Sequence, residues 1–318
     1  MIAVYAERKT AAFIQNRLGP MVVGPKGLLQ TVADLLKMLQ KEDIKANAVD
    51  KIPFLIAPLI VFAAVFAGYA VLPLNESVSG ASVQSGLFFL MAIVSLDVLG
   101  ILMAGWASNN KYSLFGAMRS VAQIVSYEIP LGLSVLCVVI IAGTLDLQLM
   151  SQLQNGNGLI SWNIVQHPVL LIPFIIFFVS GLAESNRTPF DLPESESELI
   201  GGYHTEYSGF RWGMFMLSEY GMMLLLSILG VILFFGGWAT PFPTIGGLSL
   251  QAKTSGPIWG AFWLLSKASI LIFVQMWVRW TLPRLRVDQL MSLSWKYLTP
   301  ISLGMLFVCA LWKWWMIS

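Results

Sequence analysis

The chain has 318 residues, of which 57% are hydrophobic and only 11% are charged, and its formal net charge is +2. A soluble globular domain carries about 25% charged residues, so this chain has too few to cover a surface that faces water. The mean hydropathy of +0.73 agrees. The composition therefore excludes an ordinary soluble protein, predicts one that lies largely in lipid and gives no reason to expect a nucleic-acid partner.

In lipid the backbone must satisfy its own hydrogen bonds, which leaves helices or closed barrels. Barrel strands alternate polar and apolar residues, whereas this chain has continuous apolar runs of roughly 20 residues, the length of a membrane-spanning helix. The sequence predicts an all-α, polytopic transmembrane helix bundle in one integral membrane domain, residues 1–318. Seven full spans are predicted at residues 53–74, 87–107, 119–142, 168–184, 212–238, 257–280 and 298–316.

The chain opens with MIAVYAERK. Residues Met1 to Ala6 resemble the last turns of one more span, and six residues cannot cross a membrane. Two alternatives stay open for this helix: either the natural start lies upstream of Met1, or the first helix is cut short.

The distribution of Lys and Arg predicts the orientation. The segments 7–52, 108–119, 185–211 and 279–297 hold 16 of the 19 basic residues, and they alternate with segments that hold almost none. Basic segments stay on the cytoplasmic side. We therefore expect the acidic and basic loops in the cytoplasm, the C-terminus outside, and a bacterial cytoplasmic (inner) membrane as the location.

The first inner segment contains an amphipathic stretch at 26–41. Its apolar face is predicted to carry Leu28, Val32, Leu35 and Leu39, and its polar face Gln30, Asp34, Lys37 and Lys41. This pattern predicts a helix that lies in the membrane interface, with a plain membrane anchor as the alternative. Gly19-Pro20 and Gly24-Pro25 predict a turned loop before it, and Arg17 lies just ahead of that loop.

Four carboxylates lie in or at the ends of apolar spans: Asp97, Glu128, Glu184 and Glu219. Acids in such places are costly and usually serve as ion or proton sites. Loss of water favours the neutral form of a carboxylate, which allows a proton to be held and released near neutral pH. The alternative is a set of neutral, hydrogen-bonded acids that hold helices together. Pro130 follows Glu128, and a proline inside a span frees a backbone carbonyl.

The most specific segment is residues 183–212, AESNRTPFDLPESESELIGGYHTEYSGFRW. Its ionisable residues are Glu184, Arg187, Asp191, Glu194, Glu196, Glu198 and Glu206, with His204 as a further possible proton relay. Asp191 and Glu194 predict a capping box with Pro193 in the first turn. Glu194 and Glu198 then share a helix face, so that their protons titrate as a coupled set. The alternative is an acidic loop in water.

The last inner segment, 279–297, carries Arg279, Arg284 and Arg286. These residues fit anionic lipid head groups or the acids of a partner, and a plain positive-inside anchor is the alternative. Cys137 and Cys309, like His167 and His204, form no metal-ligand pattern. We therefore expect no metal site and no complete catalytic centre in this chain alone.

Four segments resemble one family in order and spacing. They read AFIQNRLGPMVVGPKGLLQTVADLLKML, GWASNNKYSLFGAMRSVAQIVSYEIPL, AESNRTPFDLPESESELIGGYHTEYSG and RWTLPRLRVDQLMSLSWKYLTP. The chain resembles the quinone-site membrane subunit of respiratory complex I, the subunit 1/H family, over essentially its whole length. One departure is Met21, where family members often have Asn after the first Gly-Pro.

The resemblance implies eight transmembrane helices, the truncated opening being the first, and a chamber that admits a quinone (ubiquinone or menaquinone) as substrate. It implies that FMN and iron–sulfur clusters lie in partner subunits. The implied partners are peripheral-arm quinone-site and iron–sulfur subunits, small and antiporter-like membrane subunits, and membrane lipids. The implied activity is that of one component of a proton-translocating NADH:quinone oxidoreductase.

The resemblance also implies roles for particular residues. The quinone-chamber set is Arg17, Arg187, Asp191, Arg279 and Trp280. The proton-path set is Asp97, Glu128, Glu184, Glu194, Glu196, Glu198, Glu206 and Glu219.

Three other interpretations stay open at the level of the sequence. One is the homologous membrane subunit of an energy-converting hydrogenase, which shares the inner motifs but needs no quinone tunnel. A free-standing ion transporter explains the intramembrane acids but not the long inner loops, and no inverted repeat is detectable. An inert scaffold leaves those acids unexplained.

Overall fold

The computed structural model describes residues 1–76, 78, 80–81, 83–156, 158–192, 199–243 and 256–317. Within these ranges the chain forms helices joined by loops. The helices are α1 (Ile2–Ile14), α2 (Gln30–Gln40), α3 (Lys51–Gly68), α4 (Gly86–Val94), α5 (Leu96–Ala107), α6 (Lys111–Ala142), α7 (Leu147–Leu153), α8 (Asn163–Gln166), α9 (Leu171–Glu184), α10 (Gly209–Phe234), α11 (Pro257–Thr281), α12 (Val287–Ser292) and α13 (Thr299–Ile317).

The all-helical membrane fold predicted from the sequence is confirmed. In the described part of the chain, six helical stretches are long and apolar enough to cross a membrane: Lys51–Val71, Gly86–Ala107, Lys111–Ala142, Gly209–Phe234, Pro257–Thr281 and Val287–Met316. The predicted span 168–184 is a shorter apolar helix, Pro168–Glu184. Its 17 residues are near the lower limit for a span.

Two boundaries near the start of the chain differ from the prediction. Helix α1 runs to Ile14, well past Ala6. Helix α2 begins at Gln30 rather than at residue 26, because Pro25–Gly27 forms a 3₁₀ turn in which Lys26 has φ 54°. This positive φ cannot continue an α-helix.

Helix α2 turns two adjacent side chains toward the rest of the bundle. Leu35 and Asp34 both line a cavity against α1 and α10, and Asp34 forms an ion pair with Arg8 of α1. Val32 and Leu39 are exposed, as is Leu36. The outward side of the helix therefore carries apolar residues that a lipid surface would cover.

Helix α10 lies at the centre of the bundle and packs against α3, α9 and α11, while α6 packs against α5, α9 and α13. Nearly every side chain of α10 from Gly221 to Phe234 is buried. Because the helices alternate in direction, the bundle has two ends. We call the end with α2 and the segments 185–192, 199–208 and 282–292 the inner end, and the end with α7, α8 and residues 235–243 the outer end.

Helix α6 is held to the inner segment by a close backbone contact. A Cβ at Gly116 would lie 2.7 Å from Gly202 Cα and 2.8 Å from Tyr203 N. Ser113 of the same helix donates a 2.9 Å hydrogen bond to the carbonyl of Tyr203. Because residue 116 has no side chain, the backbone of residues 202–203 can pack directly against α6.

This contact gives a test of the fold. Gly116→Ala should lower the thermal unfolding midpoint of the purified protein by several degrees, since overpacking costs about 1–3 kcal/mol. Gly132→Ala on the same helix is the matched control, because nothing lies within 4 Å of a Cβ at that position. Alanine has the higher helix propensity, so the control should be neutral or slightly stabilising. Equal midpoints for the two variants would contradict the packing described here.

Candidate functional site

An apolar cavity of about 190 Å³ lies at the inner end, between α1, α2 and α10. Its lining is Met1, Val4, Arg8, Thr31, Asp34, Leu35, Met38, Phe210, Trp212, Gly213, Met216, Leu217 and Tyr220. An apolar cavity of roughly 150 Å³ can hold a benzene ring. This cavity therefore has room for one six-membered ring with small substituents.

The rim of the cavity is held by an ion pair between two helices. Arg8 Nη1 of α1 lies 2.5 Å from Asp34 Oδ2 of α2, and Gln30 Nε2 donates to Asp34 Oδ1 at 3.1 Å. Tyr5 of α1 also donates its hydroxyl to the carbonyl of Lys26, at 3.0 Å. These contacts fix the interfacial helix against the bundle and so set the width of the opening.

A buried cluster of charges begins at Tyr220, one wall of the cavity. The Tyr220 hydroxyl donates to Glu7 Oε2 at 2.7 Å. Arg187 Nη1 lies 3.0 and 2.9 Å from the two Glu7 oxygens, and Arg279 Nη1 also donates to Glu7 Oε1. Glu7 and Arg187 are 4% and 3% exposed. One buried carboxylate from α1 thus joins two guanidinium groups from other parts of the chain.

The cluster presents two positive charges at the end of the cavity. Burial lowers the pKa of Arg187, but the Glu7 carboxylate raises it and the net direction is upward, so the guanidinium stays charged. Its Cζ atom lies 4.1 Å from the centre of the Tyr220 ring. The two guanidinium groups can therefore stabilise negative charge developing at the end of the cavity, in competition with the nearby carboxylates.

Sequence reasoning predicted Arg187 and Arg279 as site residues but missed Glu7 and Tyr220. Glu7 directly follows Ala6, where the opening apolar run ends, so the sequence pattern indicates that Glu7 begins a loop. The signal was a lone acid next to Arg8 and Lys9 at the end of an apolar run. An acid in such a position needs a partner if its helix continues into the bundle.

Glu7→Gln tests the cluster. The substitution removes the charge but keeps the size, and breaking a buried ion pair costs about 3–5 kcal/mol. We expect a large fall in the thermal unfolding midpoint and in activity. Asp43→Asn is the control, because Asp43 pairs with Arg211 at 2.9 Å but is 42% exposed, and an exposed pair is worth about 0–1 kcal/mol. If both variants unfolded at the wild-type midpoint, the Glu7 cluster would not be a buried ion pair.

Three of the predicted proton-path acids meet at a second, much smaller cavity. This cavity has a volume of about 10 Å³, and its lining includes Asp97, Glu184 and Glu219 together with Ser185 and Ser218. Among the described residues, Asp97 Oδ1 and Glu184 Oε2 have no hydrogen-bond partner. Buried polar atoms without a partner commonly bond to water, and the volume is close to that of one water molecule.

Glu128 lies next to this carboxylate cavity, close enough to interact electrostatically with Glu184. Glu128 Oε1 lies within hydrogen-bond distance of the Ser95 hydroxyl, whose one proton is shared between this oxygen and Met91 O at 2.9 Å. Ser95 lies between α4 and α5, which are the two parts of one membrane span. The interruption places a hydroxyl in the middle of the span, two residues from Asp97.

The proline in α6 frees a carbonyl, as predicted, and the structure shows which residue occupies it. Pro130 has no N–H to donate to the carbonyl of Ser126, four residues earlier. The Ser294 hydroxyl donates to that oxygen at 2.6 Å. Ser294 belongs to a π-helical segment, Leu293–Leu298, between α12 and α13.

The remaining predicted residues lie apart from the two cavities. Asp191 Oδ2 accepts from Arg284 at 3.0 Å, and Glu206 Oε1 accepts from Asn110 at 2.7 Å. Arg17 is exposed and donates to Gln15 at 2.6 Å. Their predicted roles stay predictions.

Trp280 packs near Arg279, whose guanidinium lies 5.9 Å from its ring. Glu194, Glu196 and Glu198 lie outside the described residues, as does Pro193, and with them most of the predicted capping box.

The cavity and the carboxylates are linked through one electrostatic contact. Arg187 of the Glu7 cluster interacts with Glu219, which lines the carboxylate cavity. Glu219 and Tyr220 are neighbours on α10, so one turn of this helix presents a residue to each site. A change of charge at the Glu7 cluster can therefore reach the carboxylates without any movement of the backbone.

Comparison with known proteins assigns the chain to a family. The family model described as NADH dehydrogenase matches residues 1–310. The chain is 55% identical over 310 residues to the H subunit of NADH-quinone oxidoreductase from Chlorobaculum tepidum, an alignment that covers 97% of this chain and 86% of the relative. The chain belongs to the complex I subunit 1/H family.

Two further relatives agree. The NADH-quinone oxidoreductase H subunit numbered 2 of Cytophaga hutchinsonii is 50% identical, and the alignment covers 99% of this chain and 95% of the relative. The corresponding protein of Brevibacillus brevis is 48% identical, with coverage of 95% and 84%. Each of these relatives carries the name of the quinone enzyme, which favours that interpretation over the hydrogenase. As a member of the subunit 1/H family, this chain is a multi-pass membrane protein.

Proposed function

We propose that this chain forms the membrane wall of the quinone chamber of NADH:quinone oxidoreductase and couples quinone reduction to proton translocation. The observation that carries the proposal is the link just described: an apolar cavity ends on a buried cluster of charges, and that cluster interacts with an acid of the carboxylate cavity. A hydrogenase component would need no ring-sized apolar cavity on its membrane side, and nothing in the described part of the bundle favours it.

The proposed binding step uses the cavity between α1, α2 and α10. Its lining is apolar apart from Arg8, Asp34 and a few others, which suits a quinone ring with an isoprenoid tail. The outward apolar residues of α2 support an opening next to lipid, from which the quinone would enter. The peripheral arm would complete the chamber and supply electrons from an iron–sulfur cluster, with FMN further away in the same arm.

The proposed coupling step is electrostatic. Reduction of a quinone to the quinol takes up two electrons and two protons. Negative charge that develops before those protons arrive would be stabilised by Arg187 and Arg279, and this weakens their hold on Glu7 and Glu219. Glu219 would then favour its protonated form, and Asp97, Glu184 and Glu128 would respond in turn.

We further propose a bacterial inner membrane, with the inner end in the cytoplasm. The support is the concentration of basic residues at that end and the bacterial origin of the relatives. The partners proposed are the peripheral-arm quinone-site and iron–sulfur subunits, which would cover the inner end, and the small and antiporter-like membrane subunits, which would receive the charged path. Lipids would cover the remaining apolar faces.

Leu35→Trp tests the quinone cavity. Leu35 lines the cavity, whereas its neighbour Leu36 is 52% exposed and points away from it. The added indole should fill the cavity and raise the KM for quinone at least about tenfold, a change of about 1.4 kcal/mol in binding. Leu36→Trp, the same substitution one residue on, should leave the KM unchanged. An unchanged KM in both variants would show that quinone does not use this cavity.

The carboxylates give a second test, in sealed vesicles that hold the whole complex. Asp97→Asn and Glu184→Gln each replace an acid of the carboxylate cavity by a neutral group of the same size. We expect the number of protons moved per quinone reduced to fall, because the group can no longer exchange a proton. Asp43→Asn should not change this ratio. The proposal fails if both variants pump as the control does, or if a combined Glu194→Gln, Glu196→Gln and Glu198→Gln variant keeps both quinone reduction and pumping.

A further inference from the structure

Lys267 is a buried cation that the proposed reaction does not use. It lies on α11 near the outer end and is 8% exposed. Its ammonium donates to the carbonyls of Phe235, Gly237 and Ala239 at 2.8, 3.0 and 2.7 Å. An ammonium has three N–H donors, so all three are used. The face of Trp162 lies 4.5 Å from the nitrogen.

No acid balances this charge in the described part of the chain, where the ion pairs of α11 are limited to Arg279 with Glu7. Residues 244–255, which lie outside the described part, include no Asp or Glu in the sequence. The charge is held instead by carbonyl dipoles at the C-terminal end of α10, which carries partial negative charge, and by the aromatic ring. Three carbonyl acceptors favour the ammonium form, since a neutral amine has only two N–H donors, and neutral dipoles do not cancel its positive field.

The end of α10 around Lys267 is closed by protein groups. Gln154 Nε2 donates to Ile232 O and Asn163 Nδ2 donates to Leu233 O, both at 2.8 Å. Gln154 Oε1 accepts from the N–H of Gly236 at 2.9 Å. Two of the terminal carbonyls of the central helix, those of Ile232 and Leu233, are thus bonded to side chains of the outer segments.

An apolar layer separates Lys267 from the carboxylate cavity. From Glu219 to Phe235 the central helix runs for about 24 Å at 1.5 Å per residue. The side chains of this stretch from Leu225 to Phe234 pack with Phe177, Leu264 and Ala268 in the largest core cluster. The ammonium therefore lies on the outer side of a largely apolar layer, in which Ser227 accepts a hydrogen bond from Gln275 at 3.3 Å, and the acids lie on the inner side.

We propose that Lys267 is an electrostatic barrier that keeps protons and other cations at the outer end from reaching the carboxylates. A fixed positive charge excludes cations from a narrow low-dielectric path, as in selective membrane pores. This exclusion of cations by charge adds to the barrier that the packed apolar layer forms. Loss of the charge would let protons that had been moved outward leak back through the bundle. The proposal rests on the proposed function only in taking the carboxylates as proton carriers.

The test is passive proton leak, measured with the purified complex in liposomes. A pH difference is imposed without NADH, and its decay is followed with an internal pH-sensitive dye. Lys267→Met should speed the decay roughly tenfold, equivalent to a barrier lowered by about 1.36 kcal/mol, and Lys267→Arg should stay near the wild type. If Lys267→Met does not assemble, Lys267→Gln replaces it with the same expectation.

Asn163→Ala is the matched control, since it removes a cap from Leu233 O without removing charge. The proposal requires its leak to stay well below that of Lys267→Met. A Lys267→Met leak equal to the wild type, or equal to that of Asn163→Ala, would overturn the electrostatic role and leave packing alone as the seal. Quinone reduction, measured separately in the same vesicles, reports on the proposed function, so that failure of that function can be told from failure of the barrier.

Discussion

The inner half of the structure depends on the buried ion pairs of Glu7. A buried carboxylate is costly unless charged and hydrogen-bonding groups surround it, and Glu7 has two guanidinium groups and a phenol. These three partners come from the 185–192 segment, α11 and α10, so one side chain joins α1 to the rest of the bundle. The same requirement brings two guanidinium groups to the place where the apolar cavity ends. The stability of the fold and the chemistry proposed for the cavity therefore have a common origin.

Interruptions in the helices provide partners for buried polar groups in the middle of the bundle. The break at Ser95 supplies a hydroxyl to Glu128, and Pro130 leaves a carbonyl that Ser294 occupies. Polar groups at this depth can be kept only where other protein groups or trapped water satisfy them. Asp97, Glu184 and Glu219 meet that condition differently, by sharing a cavity of about the size of one water molecule. In the proposed coupling, such an arrangement would hold protons that can move, whereas full pairing with Arg or Lys would fix the carboxylates in their charged form.

The sequence predicted the spans and the acids well because both depend on local signals. Apolar runs and the alternation of basic loops are properties of consecutive residues, and an acid within such a run is visible at once. The partners of Glu7 could not be predicted, since they lie 180 and more residues away in the chain. The pairing of Asp34 with Arg8 could not be predicted for a related reason: periodicity gives the polar face of α2 but not the side chain of α1 that this face contacts. The surroundings of Lys267 could not be predicted either. Its ammonium donates to three backbone carbonyls, and the sequence pattern does not show which carbonyls lie near it.

The central claim is that charge at the Glu7 cluster changes the protonation of Glu219. Infrared difference spectroscopy of the intact complex, recorded as the quinone is reduced, tests it most directly. The account predicts a carboxylic-acid C=O band in wild-type protein and in the Asp43→Asn control, and a clear loss of that band in Glu219→Gln. A band of unchanged intensity in Glu219→Gln, or no such band in the wild type, would contradict the proposed coupling.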